Sequence, residues 1–203
     1  MMDIREIRNS GMLELYVVGD MIDQEMALVE AGINASPELK EEVVEIERSF
    51  EQYALANAIA PDATIKPMLC ALVDYMTRLE NGEEVLYVPS LNEESKGSDF
   101  DKWLDRDDMQ EPDEYESMHG KIIGASDEKT TLIVWLKDGA PDETHTDELE
   151  KFLILEGTCN ITIGDKVHSL VAGDYLSIPL FINHRVEVTS STRCKVILER
   201  AAA

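Results

Sequence analysis

The first 80 residues carry hydrophobic side chains at helical spacing. Ser36 followed by Pro37 is typical of a helix start. From there apolar residues recur every three or four positions, at Leu39, Val43, Ile46, Phe50 and Tyr53. A second apolar seam, which ends before Asn81-Gly82, contains Ile65, Leu69, Leu72, Met76 and Leu79. Two shorter helices, opened by Ser10 and Asp23, are predicted before these. The pattern predicts a bundle of four helices in a first domain, residues 1–82.

After Gly82 the spacing of hydrophobic residues changes from every three or four positions, typical of a helix, to every second position, typical of a strand. Short β-type runs separated by turn residues are predicted at 121–123, 131–137, 151–156, 160–163, 166–170, 175–178, 185–188 and 193–199. Residues 83–118 hold 13 acidic and 3 basic residues, so we expect an acidic surface connection there, with a first strand at 85–88. Many short strands at close intervals favour a β-sandwich or a small barrel, which assigns residues 83–203 to a second, β-rich domain.

Composition narrows the partners that this chain can have. Its 203 residues include 42 acidic and 18 basic residues, a formal charge of −24, while 44% are hydrophobic. The hydrophobic fraction supports a folded core rather than a disordered acidic chain. The charge argues against direct binding of nucleic acid or of an anionic membrane. Three unpaired cysteines and no apparent signal peptide or long apolar run lead us to expect a cytoplasmic protein.

The placement of two of the four histidines points to a family. His145 follows Gly139 by six residues, and Glu150 is followed after six residues by Gly157. His184 ends the segment Gly173-Asp-Tyr-Leu-Ser-Ile-Pro-Leu-Phe-Ile-Asn-His. These spacings resemble the two sequence motifs of the cupin family over about residues 120–199. The resemblance implies an α+β chain in which a helical bundle precedes a cupin barrel, a double-stranded β-helix of the jelly-roll type.

The resemblance also implies a metal site, formed by His145, Glu150 and His184 with Glu143 as a possible fourth ligand. Glu143 stands where the family has its first histidine, and Phe181 and Val188 replace the motif glycine and asparagine. The family motif can also be aligned in a second register, in which His145 is the first ligand and Asp147 the second. Two imidazoles and a carboxylate can hold a divalent ion such as Zn²⁺, Mn²⁺ or Fe²⁺ with open positions. Alternatively, these are solvated loop residues and the barrel binds no metal.

The helical half carries a second resemblance. Ser10-Gly-Met-Leu-Glu-Leu-Tyr-Val-Val-Gly-Asp and Ser36-Pro-Glu-Leu look like parts of the N-terminal helical domain of bacterial anti-sigma factors, over about residues 10–60. A helical domain of this kind followed by a cupin is the arrangement of ChrR-like regulators, which the whole chain resembles. Residues 1–69 contain no Cys and no His, so this domain would lack the zinc site of ChrR-like proteins. The alternative is a bundle that serves only assembly or dimerisation.

Together the two resemblances imply a transcription regulator. Its helices would sequester a sigma factor through Leu15, Tyr16, Phe50 and Tyr53, its cupin would be the metal-binding sensor, and cupin pairing would give a possible homodimer. The 16 acidic and 6 basic residues of positions 1–80 would complement the basic surface of such a partner. No catalytic residue is assigned. Two alternatives remain open: a metal-dependent cupin enzyme, of the dioxygenase or isomerase type, and a metal-free cupin that binds a ligand.

Overall fold

A computed structural model describes residues 4–203, and the chain divides into two compact units. One extends to Ala60 and the other comprises Pro61–Ala203. The domain boundary expected at residue 82 therefore differs from the division between the compact units. The difference arises because the helix over residues 65–80 packs on the first strand of the β-rich part.

The helical unit contains α1 (Ile4–Asn9), α2 (Met12–Val18), α3 (Asp23–Ala35) and α4 (Pro37–Ala56). Its small core is formed by Ile7, Leu13, Val29, Leu39 and Val43. The Ser36 hydroxyl accepts a hydrogen bond from the Leu39 backbone N–H at 3.4 Å, the N-cap that the sequence indicates. Helix α1 is not predicted by the sequence pattern, and α2 begins after Gly11, whose φ is 77°.

The second unit contains α5 (Ile65–Glu80), the short α6 (Asp101–Leu104) and nine strands. The strands are β1 (Met118–Ala125), β2 (Lys129–Leu136), β3 (Gly139–Glu143), β4 (Glu148–Glu156), β5 (Thr158–Ile163), β6 (Lys166–Val171), β7 (Tyr175–Ile178), β8 (His184–Val188) and β9 (Cys194–Ala202). They form two antiparallel sheets, ordered β1-β2-β9-β4-β7 and β3-β8-β5-β6. Helices followed by this pair of sheets confirm the predicted fold class.

The main core lies between the two sheets because alternate strand residues face inward. On β9, for example, Cys194, Val196 and Leu198 are buried in this core together with Phe152 and Ile154 of β4. Both buried cysteines, Cys159 and Cys194, are free thiols and pack as small core residues. The side chain that continues the inward series on β9 is Arg200, and it lies where the candidate site is found.

Helix α5 packs through a different face from the one that the sequence indicates. Its buried residues are Ala71 and Tyr75, whereas the predicted seam is exposed at Ile65, Leu69, Leu72 and Met76. Only Leu79 of that seam contacts the core, together with Met68. The small side chain of Ala71 lets the helix approach Gly120 of β1, where a Cβ would lie 3.6 Å from that of Ala71.

The acidic segment between α5 and β1 contains a core of its own. Its apolar residues pack on the outer face of the five-stranded sheet, with Val88, Leu91, Phe100, Trp103 and Met109 all buried. The first strand expected at 85–88 is wrong, because these residues pair with no strand. The Lys129 ammonium instead donates a hydrogen bond to the Val88 carbonyl at 2.8 Å. The segment is therefore part of the second unit rather than a simple surface connection.

Within residues 4–203, none of the helices combines the length and the apolar character needed to cross a membrane.

Candidate metal centre

Glu150 is a carboxylate inside the β-sandwich. It lies on β4, opposite Ile178 of β7 and Arg200 of β9, and it is 3% exposed. It shares the inward face of β4 with Phe152 and Ile154. An ionised carboxylate in such surroundings needs charged or hydrogen-bonding partners.

Two of the predicted site residues, Glu143 and His184, lie on the opposite sheet, and His184 contacts Glu150 directly. Glu143 at the end of β3 and His184 at the start of β8 are register partners, after an irregularity that follows Ala140. His184 is 3% exposed, and its Nε2 lies 3.0 Å from Oε2 of Glu150. Each sheet thus provides one potential metal ligand, Glu150 from one and His184 from the other, and the two side chains are in direct contact.

His145 lies between β3 and β4, and its loop is held by the chain before β8. The Phe181 N–H donates a hydrogen bond to the His145 carbonyl at 2.8 Å. Phe181 has a φ of 62°, the left-handed conformation that favours glycine, and it stands at the motif position where the family has glycine. The chain therefore has a glycine-type backbone conformation at a motif position where it lacks glycine.

The imidazole of His145 completes the cluster. Its Nε2 lies 3.4 Å from Oε2 of Glu150 and 3.6 Å from Oε2 of Glu143, and its ring centre is 5.1 Å from that of His184. The structure therefore brings together all four residues predicted from the motif spacing. Asp147, the ligand in the other register, is exposed and accepts a hydrogen bond from Thr146.

Electrostatics keeps Glu150 ionised. Burial opposes its charged form, but the contacts with His145 and His184 and the charge of Arg200 lower the pKa of Glu150 far below its ordinary value. The same contact with Glu150 raises the pKa of His145, against the effect of burial. The carboxylate is thus available as a negatively charged ligand.

Arg200 is the site residue that the motif spacing does not reveal. Its Nε donates to Oε1 of Glu150 at 2.9 Å, and its Nη2 donates to Oε2 of Glu143 at 3.1 Å. The sequence does contain a signal, because position 200 continues the period-two series of Cys194, Val196 and Leu198. A charged residue in an inward-facing series is a reason to expect a buried polar site.

The residues present fit a divalent metal ion. The ligand atoms of Glu143, His145 and His184 lie within 4.8 Å of one another, and Glu150 contacts both imidazoles. The His145 Nε2 is buried and makes no hydrogen bond of good geometry, so it has a free position for a ligand bond. Imidazoles with carboxylates suit Zn²⁺, Fe²⁺ or Mn²⁺.

A small cavity adjoins the cluster. It has about 30 Å³ of free space and contacts Glu143, Glu150, His184 and Arg200. Its other walls are mostly apolar, and Thr64 and Met68, at and near the start of α5, also line it. This space holds about two water-sized groups, so any ligand that it admits is small.

The predicted partner-binding residues lie on the helical unit. Leu15, Phe50 and Tyr53 are 44%, 42% and 70% exposed, whereas Tyr16 is half-buried against the helical core. Phe50 and Tyr53 line an open groove of about 530 Å³, together with Ile46, Ser49, Glu14, Glu42 and Glu45. We call this the acidic-rimmed groove.

Comparison with protein families supports the fold of the second unit. Residues 132–198 match the family model described as "Cupin domain", a range that includes His145, Glu150 and His184 but ends before Arg200. No curated protein matches the chain significantly.

Similar solved structures also cover only part of the chain. The cupin domain of Schizosaccharomyces pombe Cnp3 is 12% identical, with a TM-score of 0.41, over 44% of this chain and 67% of that one. A cupin-2 domain containing protein from Shewanella frigidimarina is 22% identical, with a TM-score of 0.39, over 43% and 84%. A cupin superfamily protein from Desulfitobacterium hafniense is 22% identical, with a TM-score of 0.41, over 47% and 86%.

The family match and the two facing antiparallel sheets together show that the second unit contains a cupin domain.

Proposed function

We propose that the cupin domain of this chain is a metal-centred sensor and that its helical unit binds and sequesters a sigma factor. The proposal joins the resemblance to ChrR-like regulators with two sites, one in each compact unit. A change at the metal centre would alter the affinity of the helical unit for its partner, which is a coupling free energy between two sites.

The acidic-rimmed groove is the observation that carries the proposal. It combines exposed aromatic side chains, Phe50 and Tyr53, with the carboxylates of Glu14, Glu42 and Glu45. Large aromatic side chains are frequent anchors in protein interfaces, and acidic rims favour basic partners. A helix with an apolar face and flanking Lys or Arg, as in the DNA-binding regions of a sigma factor, has the complementary chemistry.

The metal centre supports the sensor role. His145, His184, Glu150 and Glu143 would hold the ion, which when bound would supply open positions for a second small ligand. The cavity of about 30 Å³ is far below the several hundred Å³ typical of substrate pockets. A site of this size suits a small signal molecule better than a substrate.

The second candidate function is a metal-dependent enzyme. It is favoured by the same four potential metal ligands, Glu143, His145, Glu150 and His184. In that case residues that line the cavity, which include Thr64 and Met68, would have to move to admit a substrate, because its free space is only about 30 Å³. Turnover would then depend on His184 and would not depend on Phe50 or Tyr53. The two functions therefore differ in which unit carries the essential residues.

The test is co-purification of the full chain with the sigma factor encoded beside its gene. We expect a stable complex that competes with promoter DNA, and at least a tenfold loss of affinity on Phe50→Ala with Tyr53→Ala. Leu55→Ala is the matched control, because Leu55 lies on the same helix and is as exposed as Tyr53 but does not line the groove. Absence of a complex, or an equal loss in the control, would contradict the proposal.

A further inference from the structure

We infer that Arg200 makes the metal-loaded cavity a receptor for a small monoanion. The inference rests on the metal-sensor part of the proposed function and names the chemical class of its ligand. It does not depend on the identity of the protein that the helical unit binds.

Arg200 already binds the carboxylates of Glu143 and Glu150, and it is placed to bind a further ligand in the cavity. Its Nε and Nη2 donate to Glu150 and Glu143, and its side chain is 20% exposed and lines the cavity. Among residues 4–203, no group accepts a hydrogen bond from its Nη1. One nitrogen of the guanidinium therefore retains both of its N–H donors for a ligand.

The charges of the site determine the sign of that ligand. Glu143 and Glu150 contribute two negative charges and Arg200 one positive charge, while histidines bind metals as neutral imidazoles. Together with the neutral His145 and His184, these five side chains thus carry a net charge of −1, which becomes +1 with a divalent ion. Because net charge in a buried site is costly, a bound monoanion would neutralise it.

The size of the cavity limits the anion. Apolar side chains form most of its wall, namely Val134, Leu136, Phe152, Val186, Val196 and Leu198. Its space of about 30 Å³ admits about two water-sized groups. An anion of two or three heavy atoms fits these limits, and formate is the probe that we choose.

The experiment uses the full chain loaded with Co²⁺, whose absorption spectrum reports changes in its ligands. Formate is titrated into the wild type, Arg200→Gln, Arg200→Lys and the control Arg185→Gln, whose side chain is 48% exposed on β8. We expect saturable formate binding in the wild type and the control. In Arg200→Gln we expect formate affinity to fall at least tenfold while Co²⁺ binds as tightly or more tightly, because a competing cation is gone.

Arg200→Lys retains the charge but not the planar group, so formate affinity should fall to an intermediate value. If Arg200→Gln does not fold, as judged by near-ultraviolet circular dichroism, Arg200→Lys decides the question. Equal formate affinity in the wild type and the folded Arg200 variants would overturn the inference, and so would a wild type that binds no Co²⁺ or no formate. Sigma-factor binding is measured separately, so failure of one part of the regulator hypothesis is distinguishable from failure of the other.

Discussion

Glu150 and His184 meet from opposite sheets of the cupin domain, with 3.0 Å between Oε2 and Nε2. Each residue is 3% exposed. The contact therefore places a charged carboxylate and an imidazole together in an apolar core, an arrangement that is costly unless the groups are fully paired or bind an ion. The first prediction concerns the ion.

Wild-type protein purified without chelator or His-tag should contain about one divalent metal ion per chain, because the cluster offers two imidazoles and two carboxylates. His145→Ala combined with His184→Ala should lower the metal content at least tenfold. Elemental analysis measures both. His168→Ala is the control, since His168 lies on β6 outside the cluster. Equal metal content in the double variant and the wild type would exclude this site.

Gly139 fixes the start of β3, the strand that ends with Glu143. Its φ is 139°, and an added Cβ would overlap the carbonyl of Val186 on β8. Gly139→Ala should therefore destabilise the fold by about 3 kcal/mol or more in urea unfolding, since it adds a steric clash to backbone strain. Gly173→Ala, where φ is 96° and the space is open, should cost only about 1–2 kcal/mol. A similar loss of unfolding free energy in the two variants would contradict the predicted steric clash between the added Cβ at position 139 and the Val186 carbonyl.

The packed face of α5 can be tested by a pair of substitutions to glutamine. Ala71 is 1% exposed against β1 and Leu69 is 56% exposed on the other side of the helix. Ala71→Gln should destabilise the second unit by about 2 kcal/mol through overpacking, and Leu69→Gln by less than about 0.5 kcal/mol. Thermal unfolding measures both. A larger effect at Leu69 would support the seam that the sequence pattern indicates.

Glu83 should make stability depend on pH below about 5. The hydrogen bond from Arg106 lowers the pKa of Glu83, with Arg78 adding to the effect and burial opposing it. Because the folded pKa lies below the ordinary value of 4.5, the stabilisation is present above pH 4.5. It is lost as the pH falls through the folded pKa.

Glu83→Gln should therefore cost about 1 kcal/mol at pH 7 and clearly less at pH 3, measured by urea unfolding. Glu84→Gln, at the exposed neighbouring position, should have little effect at either pH. A cost for Glu83→Gln that is unchanged between the two pH values would contradict this account.

The local features of this protein follow from its sequence. Ser36 and Asn81-Gly82 mark helix ends because their effects act through neighbouring backbone groups. The period-two runs mark most strands of the cupin domain, and the motif spacing locates His145, Glu150 and His184. Each of these features depends on residues close together in the chain, or on the alternation of inward-facing and outward-facing side chains along a strand.

The tertiary structure decided the remaining features, because they depend on residues far apart in the chain. Helix α5 has apolar residues on several sides, and the close approach of Ala71 to Gly120 selects the face that packs. The acidic segment gains a core only because the outer face of a sheet is available to its tryptophan and its other apolar residues. Arg200 joins the site through its register with Glu150, a pairing that only the sheet creates.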